Sequence, residues 1–220
     1  MSRRPDWLRP YRTLLAHYGP QHWWPGETPF EVMVGAVLTQ NTAWSNVEKA
    51  IANLRRARAL SCGAILKRSE TELAQLIRPA GYFNVKARRL KHLCAFLEAQ
   101  GVARQPERLR DTGTLAELRH RLLAVHGVGE ETADSILLYA LNLPSFVVDA
   151  YTRRIFGRLG LIAGDETYHR IQAAFEAALP REVALYNEYH ALIVQLGKSA
   201  CRPRPRCGEC PLRRFCPGRL

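Results

Sequence analysis

The sequence predicts an all-α protein of roughly ten helices joined by short connections. Two observations favour this fold class. Capping signals, in which a Ser or Thr is followed three residues later by Glu, recur along the chain, and apolar residues repeat at helical spacing after them. A third observation argues against a sheet, because period-two alternation is confined to short pieces such as SFVVD.

The first predicted helices begin at two different signals. TPFE places Thr28 as N-cap, Pro29 at the first helical position and Glu31 as the capping-box acid of a helix through about Leu38. The composition of EVMVGAVL also suits a buried strand, but the capping box favours a helix. After QNT, Thr42 is expected to cap a second helix, whose apolar face comprises Trp44, Val47, Ile51 and Leu54.

Two more capping boxes and one long apolar stripe follow. The boxes are Ser69 with Glu72, and Thr114 with Glu117. Between them, PAGYFN predicts a turn. The helix after it carries the apolar stripe Ala87, Leu90, Cys94 and Leu97, and the basic residues expected to lie largely off this stripe are Lys86, Arg88, Arg89 and Lys91.

Composition and charge limit the function classes. The chain has 220 residues, 47% of them apolar, which is enough to bury a sizeable core. Lys and Arg outnumber Asp and Glu by 32 to 20, so an anionic partner is expected, and nucleic acid is the first candidate. No apolar run approaches the roughly 18 residues of a membrane span. Without a signal peptide, the sequence predicts a cytoplasmic protein, in which structural disulfides are rare.

The stretch HGVG between two predicted helices indicates a hairpin. Gly127 and Gly129 permit a positive φ and leave the backbone around Val128 uncovered. The second helix starts near Glu130, and its free N–H groups form a ready anion site. A hairpin that binds DNA phosphate through backbone amides needs no lysine, and acids in the first helical turn complement the macrodipole. An ordinary turn between two helices explains the same residues.

Asp149 stands between SFVV and the predicted helix AYTRRIFGRLG. A carboxylate there can cap the helix, and it can also face a substrate groove. Taken together, LLAVHGVGEETAD and VVDAYTRRI resemble the helix-hairpin-helix DNA glycosylases of the endonuclease III superfamily. The resemblance extends from TPFEVMVGAVLTQNT to the terminal cysteines.

This resemblance implies a two-lobed fold. A six-helix barrel lobe with the hairpin is expected over residues 27–143, and a second helical lobe over residues 1–26 and 144–220. The resemblance also suggests a monovalent cation at the hairpin. The family's catalytic carboxylate matches Asp149, which would stabilise the oxocarbenium charge of a breaking N-glycosidic bond and activate water, after the base is flipped out.

Glu131 is a departure from the bifunctional members of the family. Those members have a lysine in the pattern GVG-x-K-T-A, which attacks the sugar as a Schiff-base nucleophile, whereas this chain reads GVGEETA. A carboxylate cannot form a Schiff base. A monofunctional, water-using glycosylase with absent or weak lyase activity is therefore predicted.

Four cysteines lie in CRPRPRCGECPLRRFC, within a loop of about 200–217: Cys201, Cys207, Cys210 and Cys216. Four thiolates in one loop can hold a [4Fe–4S] cluster. A four-cysteine zinc site is the alternative, but it more often uses two CxxC pairs, and only one is present. The cluster is favoured, as a structural support for phosphate-binding arginines that include Arg202 and Arg204. Cys62 and Cys94 are expected in the core.

Further residues are candidates for DNA contact and for the base pocket. By resemblance, Gln40 fills the gap left by the flipped base, and Tyr82 is near the wedge on the opposite strand. WWPGETPFEVMVGAVLTQNT also resembles the 3-methyladenine glycosylase III branch, in which aromatic residues sandwich an alkylated purine. The candidate pocket residues are Trp23, Trp24 and Trp44.

The predicted function is release of an alkylated purine such as 3-methyladenine from double-stranded DNA by a monomeric, nucleoid-associated enzyme. An adenine-mismatch glycosylase is disfavoured, because Ala36 stands where that branch has a general-acid Glu. Glycosylases for oxidised pyrimidines or mismatched thymine or uracil remain alternatives. From another class, so does a non-catalytic DNA-binding module, which would have no use for Asp149.

Overall fold

The computed structural model describes residues 5–218, and this range is helical without a strand, which confirms the all-α prediction. The first four residues of the predicted range 1–26 and the last two of 144–220 lie outside it. The α-helices of the described range are α1 Leu8–Tyr18, α2 Pro29–Leu38, α3 Trp44–Arg56, α4 Cys62–Lys67, α5 Glu70–Leu76, α6 Phe83–Ala99, α7 Leu115–Leu123, α8 Glu130–Ser135, α9 Ala150–Leu159, α10 Tyr168–Ala178 and α11 Val183–Ser199. Short 3₁₀ turns cover Arg78–Ala80, Pro106–Thr112 and Cys207–Glu209, and a π-helical turn, Ile136–Ala140, continues α8. Among these helices, none is long and apolar enough to cross a membrane.

The chain divides into two compact units. The terminal unit combines Met1–Trp24 with Pro144–Leu220, as far as these ranges are described, and the central unit is Pro25–Leu143. The chain therefore leaves the terminal unit after α1 and returns to it before α9.

The central unit is built on α6, which packs against α4 and α5. The predicted stripe is fully buried: Ala87, Leu90, Cys94 and Leu97 have no exposed surface. Cys62 at the start of α4 and Cys94 are both buried and their thiols interact, as expected for core cysteines.

The sequence predicted that Lys86 lies off this stripe. Lys86 is instead buried, with 1% of its surface exposed. Its ammonium donates hydrogen bonds of 2.8 Å to Leu38 O, 2.7 Å to Thr42 Oγ1 and 2.8 Å to Ala80 O. An ammonium has three donors, so each N–H is used. These bonds are what make the burial of a lysine tolerable, because an unpaired buried charge is strongly unfavourable.

Two of the predicted caps form in full and two do not. Ser69 with Glu72, and Thr114 with Glu117, are reciprocal capping boxes. The Thr28 side chain does cap α2, but Glu31 is not a capping-box acid, because its buried carboxylate pairs with Arg55 at 2.8 Å. Thr42 does not cap α3 either: the N-cap residue is Ala43, and the Thr42 hydroxyl donates to Ala80 O instead.

The terminal unit has an aromatic core around α11. Phe146 and Phe175 stack with their ring centroids 4.1 Å apart, and Trp7, Phe156, Tyr186 and Tyr189 surround them. Tyr189 is buried, and its hydroxyl donates to Trp7 O at 2.8 Å. This core fixes α11 against α1 and α9, and the candidate Asp149 is the N-cap of α9.

Candidate active site

The hairpin connects α7 to α8 through residues 124–129, as predicted. Gly127 has φ 89°, and a Cβ there would overlap the Arg89 side chain, so only glycine fits. Gly129 has an extended φ of −91°, so it does not use the positive φ expected of it, but a Cβ at this exposed position would meet nothing within 4 Å. Its amide is therefore approachable. The Val128 N–H, in contrast, is already donated to Val125 O at 3.0 Å.

Arg119 of α7 lies close to two acidic residues of α8, Glu130 and Asp134. Its guanidinium binds the fully buried Asp134 carboxylate at 2.8 and 3.0 Å and lies 3.6 Å from Glu130. Sequence reasoning missed this pair, although an Asp on the apolar face of a helix was the available signal. Glu131 is exposed in the first turn of α8.

Gln40 is folded against the hairpin. Its amide nitrogen donates to Gly127 O at 3.1 Å and to Thr132 Oγ1 at 2.8 Å, while its amide oxygen accepts a hydrogen bond from Arg89. Both ends of the side chain are therefore engaged. Filling a gap in DNA, the role that resemblance suggests for Gln40, requires these bonds to break.

Tyr82 lies at the turn that Lys86 holds. This tyrosine has a left-handed backbone, with φ 46°, and 71% of its surface is exposed. Burial lowers the pKa of Lys86 to about 8, and the nearby Arg89 contributes. The hydrogen bonds of Lys86 to Ala80 O and to Thr42 Oγ1 thus link the turn at Tyr82 to the loop that follows Gln40. Trp44, in the first turn of α3, is half-buried and donates to Glu48 at 3.0 Å.

Asp149 is the N-cap of α9 in the terminal unit, where its side chain is 11% exposed. Its Oδ1 atom accepts hydrogen bonds from the Thr152 backbone N–H at 2.7 Å and from the Thr152 hydroxyl at 2.9 Å. His190 Nε2 lies 3.6 Å from Oδ2. Burial alone would raise the pKa of the Asp149 carboxyl, but His190 and Thr152 outweigh burial and hold that pKa below its usual value. Asp149 is therefore a cap and also a buried, ionised carboxylate.

The cysteine loop is attached to the far end of α9. Arg154 donates to Cys201 O at 2.8 Å, and Arg158 donates to Cys201 Sγ at 3.3 Å and to Arg202 O at 2.7 Å. All four cysteines of the loop line one cavity of about 300 Å³. Burial raises the pKa of the Cys210 thiol, and the charges of the other three cysteines raise it further.

The remaining predicted residues of the terminal unit lie in two places. Trp23 and Trp24 are half-buried and touch edge to face, with centroids 5.6 Å apart, and the Lys198 ammonium lies 5.6 Å from the Trp23 ring centroid. Arg202 and Arg204 are exposed on the cysteine loop. The structure thus places Gln40, Tyr82, Trp44 and the hairpin in the central unit, and the other predicted site residues in the terminal unit.

Comparisons with known proteins agree on the family. Residues 34–181 match the family described as "HhH-GPD superfamily base excision DNA repair protein". A provisionally named DNA repair glycosylase of Methanocaldococcus jannaschii is 50% identical over 206 residues, which cover 94% of this chain and 93% of that protein. Among solved structures, a non-covalent endonuclease III–DNA complex has a TM-score of 0.79 at 23% identity, covering 95% of this chain and 92% of that one. Helicobacter pylori 3-methyladenine DNA glycosylase (MagIII) bound to 1,N6-ethenoadenine has a TM-score of 0.69 at 30% identity, covering 86% and 93%.

The 23% identical complex shows the fold, and the family match and the 50% identical relative show the lineage. The helix-hairpin-helix fold predicted from the sequence is confirmed. The chain belongs to the HhH-GPD superfamily of base excision DNA repair proteins, as a DNA glycosylase of the endonuclease III family.

Proposed function

We propose that this DNA glycosylase is monofunctional and releases an alkylated purine such as 3-methyladenine by hydrolysis, with Asp149 as its catalytic carboxylate. The observation that carries the proposal is Glu131, an exposed acid in the first turn of α8 where the bifunctional members have their lysine nucleophile. A carboxylate cannot form the Schiff base that strand cleavage requires.

Lys86 does not replace the absent nucleophile. Its three N–H groups are donated to oxygens of the protein, and 1% of its surface is exposed. An amine must be deprotonated and accessible to attack a sugar. Lys198 is exposed, and its ammonium faces Trp23.

Asp149 has the properties that hydrolysis of an N-glycosidic bond requires. Its depressed pKa keeps it ionised at neutral pH. The developing oxocarbenium ion carries positive charge on the sugar, so a fixed, poorly solvated carboxylate stabilises it more than the ground state, in which the sugar is neutral. The same carboxylate can orient or deprotonate the attacking water. Thr152 holds Oδ1, which leaves Oδ2 for this work.

Aromatic rings and one relative support an alkylated purine as the substrate. A cationic base is already a good leaving group, so its pocket needs stacking and cation–π attraction more than a strong general acid. Trp24 and Trp44 are half-buried rings suited to stacking, whereas one face of Trp23 already has the Lys198 ammonium near it. The 30% identical Helicobacter pylori enzyme is named for 3-methyladenine and was solved with 1,N6-ethenoadenine, an alkylated purine.

DNA contact is assigned to two surfaces of the molecule. In the central unit, the exposed Gly129 backbone and Tyr82 serve this role, with Gln40 behind the hairpin. In the terminal unit, Arg202 and Arg204 supply exposed positive charge. A monovalent cation at the hairpin stays a prediction.

The four cysteines of the loop support an iron–sulfur cluster. They line one cavity of about 300 Å³, and their sequence has a single CxxC pair, whereas a four-cysteine zinc site more often uses two. Cys201, Cys207, Cys210 and Cys216 would hold a [4Fe–4S] cluster, which would stiffen the arginine-bearing loop.

The test is base release from a panel of lesion-containing duplexes. The panel holds methylated DNA, thymine-glycol DNA and a G·T mismatch, and the wild type is compared with Trp24→Ala and Trp44→Ala. Each lost stack should cost about 1–3 kcal/mol, and the loss should be larger for 3-methyladenine than for neutral thymine glycol. Faster wild-type release of thymine glycol would exclude the alkylpurine assignment. Tight binding without release of any base would instead indicate a DNA-binding module.

A further inference from the structure

His190 lies beside the proposed catalytic carboxylate and has no role in the proposal above. It belongs to α11, and 5% of its surface is exposed. Its Nε2 atom lies 3.6 Å from Asp149 Oδ2, and the two side chains are 7% and 11% exposed. Two polar groups this close and this buried interact with little screening by solvent.

The two oxygens of Asp149 have different neighbours. Oδ1 receives both hydrogen bonds from Thr152 and is occupied as a helix cap. Oδ2 faces His190 instead. Bonds to Oδ1 fix the position of one oxygen, but the carboxylate can still rotate about it. A donor at Oδ2 sets the plane of the group, and with it the direction in which charge is presented to the sugar.

α11 is itself held in place on either side of His190. Glu188 accepts a hydrogen bond of 2.7 Å from the Gln21 backbone, and the Tyr189 hydroxyl binds Trp7 O. Further along the helix, the Tyr151 ring lies so close to Gly197 that a Cβ there would overlap it. The His190 imidazole therefore lies on a helix that is fixed in place. A side chain that orients another group must itself be fixed.

We propose that His190 is a positioning residue for Asp149, whose Nε2–H donates toward Oδ2 and holds the carboxylate in its productive orientation. This inference rests on the proposed function of Asp149. It predicts that a side chain with a donor of similar reach keeps the rate of base release, and that an apolar side chain of similar size does not.

The experiment compares His190→Leu with His190→Gln in the full chain. Base release is measured in single turnover with enzyme in excess, alongside the dissociation constant for the same lesion duplex and the thermal midpoint. His190→Leu should slow release about tenfold to a hundredfold, with DNA affinity and thermal midpoint close to the wild type. His190→Gln should recover most of that rate.

Tyr186→Phe is the matched control. Tyr186 lies one turn earlier on α11 and is fully buried, and its hydroxyl has no hydrogen-bond partner among the described residues. Removing this hydroxyl should leave the rate unchanged, which shows that a change inside α11 is harmless in itself.

The outcomes separate this inference from the function beneath it. A wild-type rate in His190→Leu overturns the positioning role and leaves the glycosylase proposal intact. Equally slow base release in His190→Leu and His190→Gln also overturns it. So does slower base release that is accompanied by a lower thermal midpoint, because in both cases the role of His190 is structural. No release of any base by the wild type overturns both proposals.

Discussion

Replacing Lys86 by Met tests whether a buried ammonium holds the central unit together at its DNA-contact loops. Met follows a similar path through the core but donates no hydrogen bond. The substitution removes the bonds to Leu38 O, Thr42 Oγ1 and Ala80 O. Ala80 O keeps the Thr42 hydroxyl as a donor, so Leu38 O, at the end of α2, is the carbonyl that loses most.

The expected loss of stability follows from the number of buried oxygens that lose a donor. A buried acceptor left without a donor costs about 1–3 kcal/mol, and removal of the buried charge offsets part of the lost bonds. We therefore expect Lys86→Met to lower the free energy of unfolding by about 1–3 kcal/mol. Lys91→Met is the matched control, because Lys91 also lies on α6 but donates to a single carbonyl, Leu66 O, at 3.0 Å. It should cost less than about 1 kcal/mol.

The pH dependence gives a second measure of the same group. The folded-state pKa of Lys86 is about 8 and its ordinary value is 10.5. Between these values the unfolded chain binds more protons than the folded one, so the contribution of Lys86 to stability rises with pH. The gap between the wild type and Lys86→Met should therefore widen from pH 8 to 10.5.

Urea unfolding followed by circular dichroism at several pH values measures both effects. Equal stability of the wild type and Lys86→Met at every pH would refute the reasoning, since it would mean that the three hydrogen bonds contribute nothing. A gap that narrows as the pH rises would refute the assignment of the lowered pKa. Lys86→Met should also bind an undamaged duplex more weakly than the wild type, because the turn at Tyr82 loses its hydrogen bond from Lys86.

Three further predictions concern the chemistry. Asp149→Asn should abolish base release while DNA binding stays intact or tightens, because Asn remains a good helix cap and a repulsive charge is lost; release at the wild-type rate would mean that Asp149 only caps α9. Borohydride should not trap a covalent complex with abasic-site DNA, since Glu131 replaces the nucleophile. Efficient trapping by the wild type that disappears in Lys198→Arg would identify the Lys198 amine as a nucleophile. The purified protein should be brown and contain about four irons, and a colourless protein with one zinc would contradict the cluster.

Local sequence was sufficient where a residue's partner is close along the chain. The capping boxes at Ser69 and Thr114 formed as predicted, because each needs only a Glu three residues away. The same reasoning failed for Glu31, whose carboxylate pairs with Arg55 of α3. A strong partner brought by the fold outcompetes a local cap, and nothing in TPFE indicates which of the two will win.

Periodicity likewise predicted the buried face of α6 but not the state of Lys86. A lysine beside an apolar stripe is ordinarily exposed. Here three oxygens from different segments converge on its ammonium, and that convergence is a property of the fold. His190 was missed for the same reason: its proposed role depends on Asp149, which caps another helix. Asp149 itself became a candidate because a family motif marks it.

The two ends of α9 connect the proposed catalytic carboxylate to the cysteine loop. Asp149 caps the first turn, and Arg158 in the last turn donates to Cys201 Sγ at 3.3 Å, Arg202 O at 2.7 Å and Pro203 O at 2.9 Å. A guanidinium at the sulfur of a proposed cluster ligand would offset its negative charge, as partners outside a metal's own ligands commonly do.

Arg158→Gln should therefore release iron to a chelator about tenfold faster than the wild type, measured by loss of visible absorbance. Arg153→Gln is the matched control: this arginine lies on the same helix, but it donates to Glu166 O at 2.6 Å, in the loop before α10. Because α9 also orients Asp149, base release should decline in Arg158→Gln as iron is lost, and not before. Slower release in the iron-replete variant would mean that Arg158 acts on the carboxylate through the helix. Unchanged iron release would show that the Arg158 contact to sulfur does not stabilise the cluster.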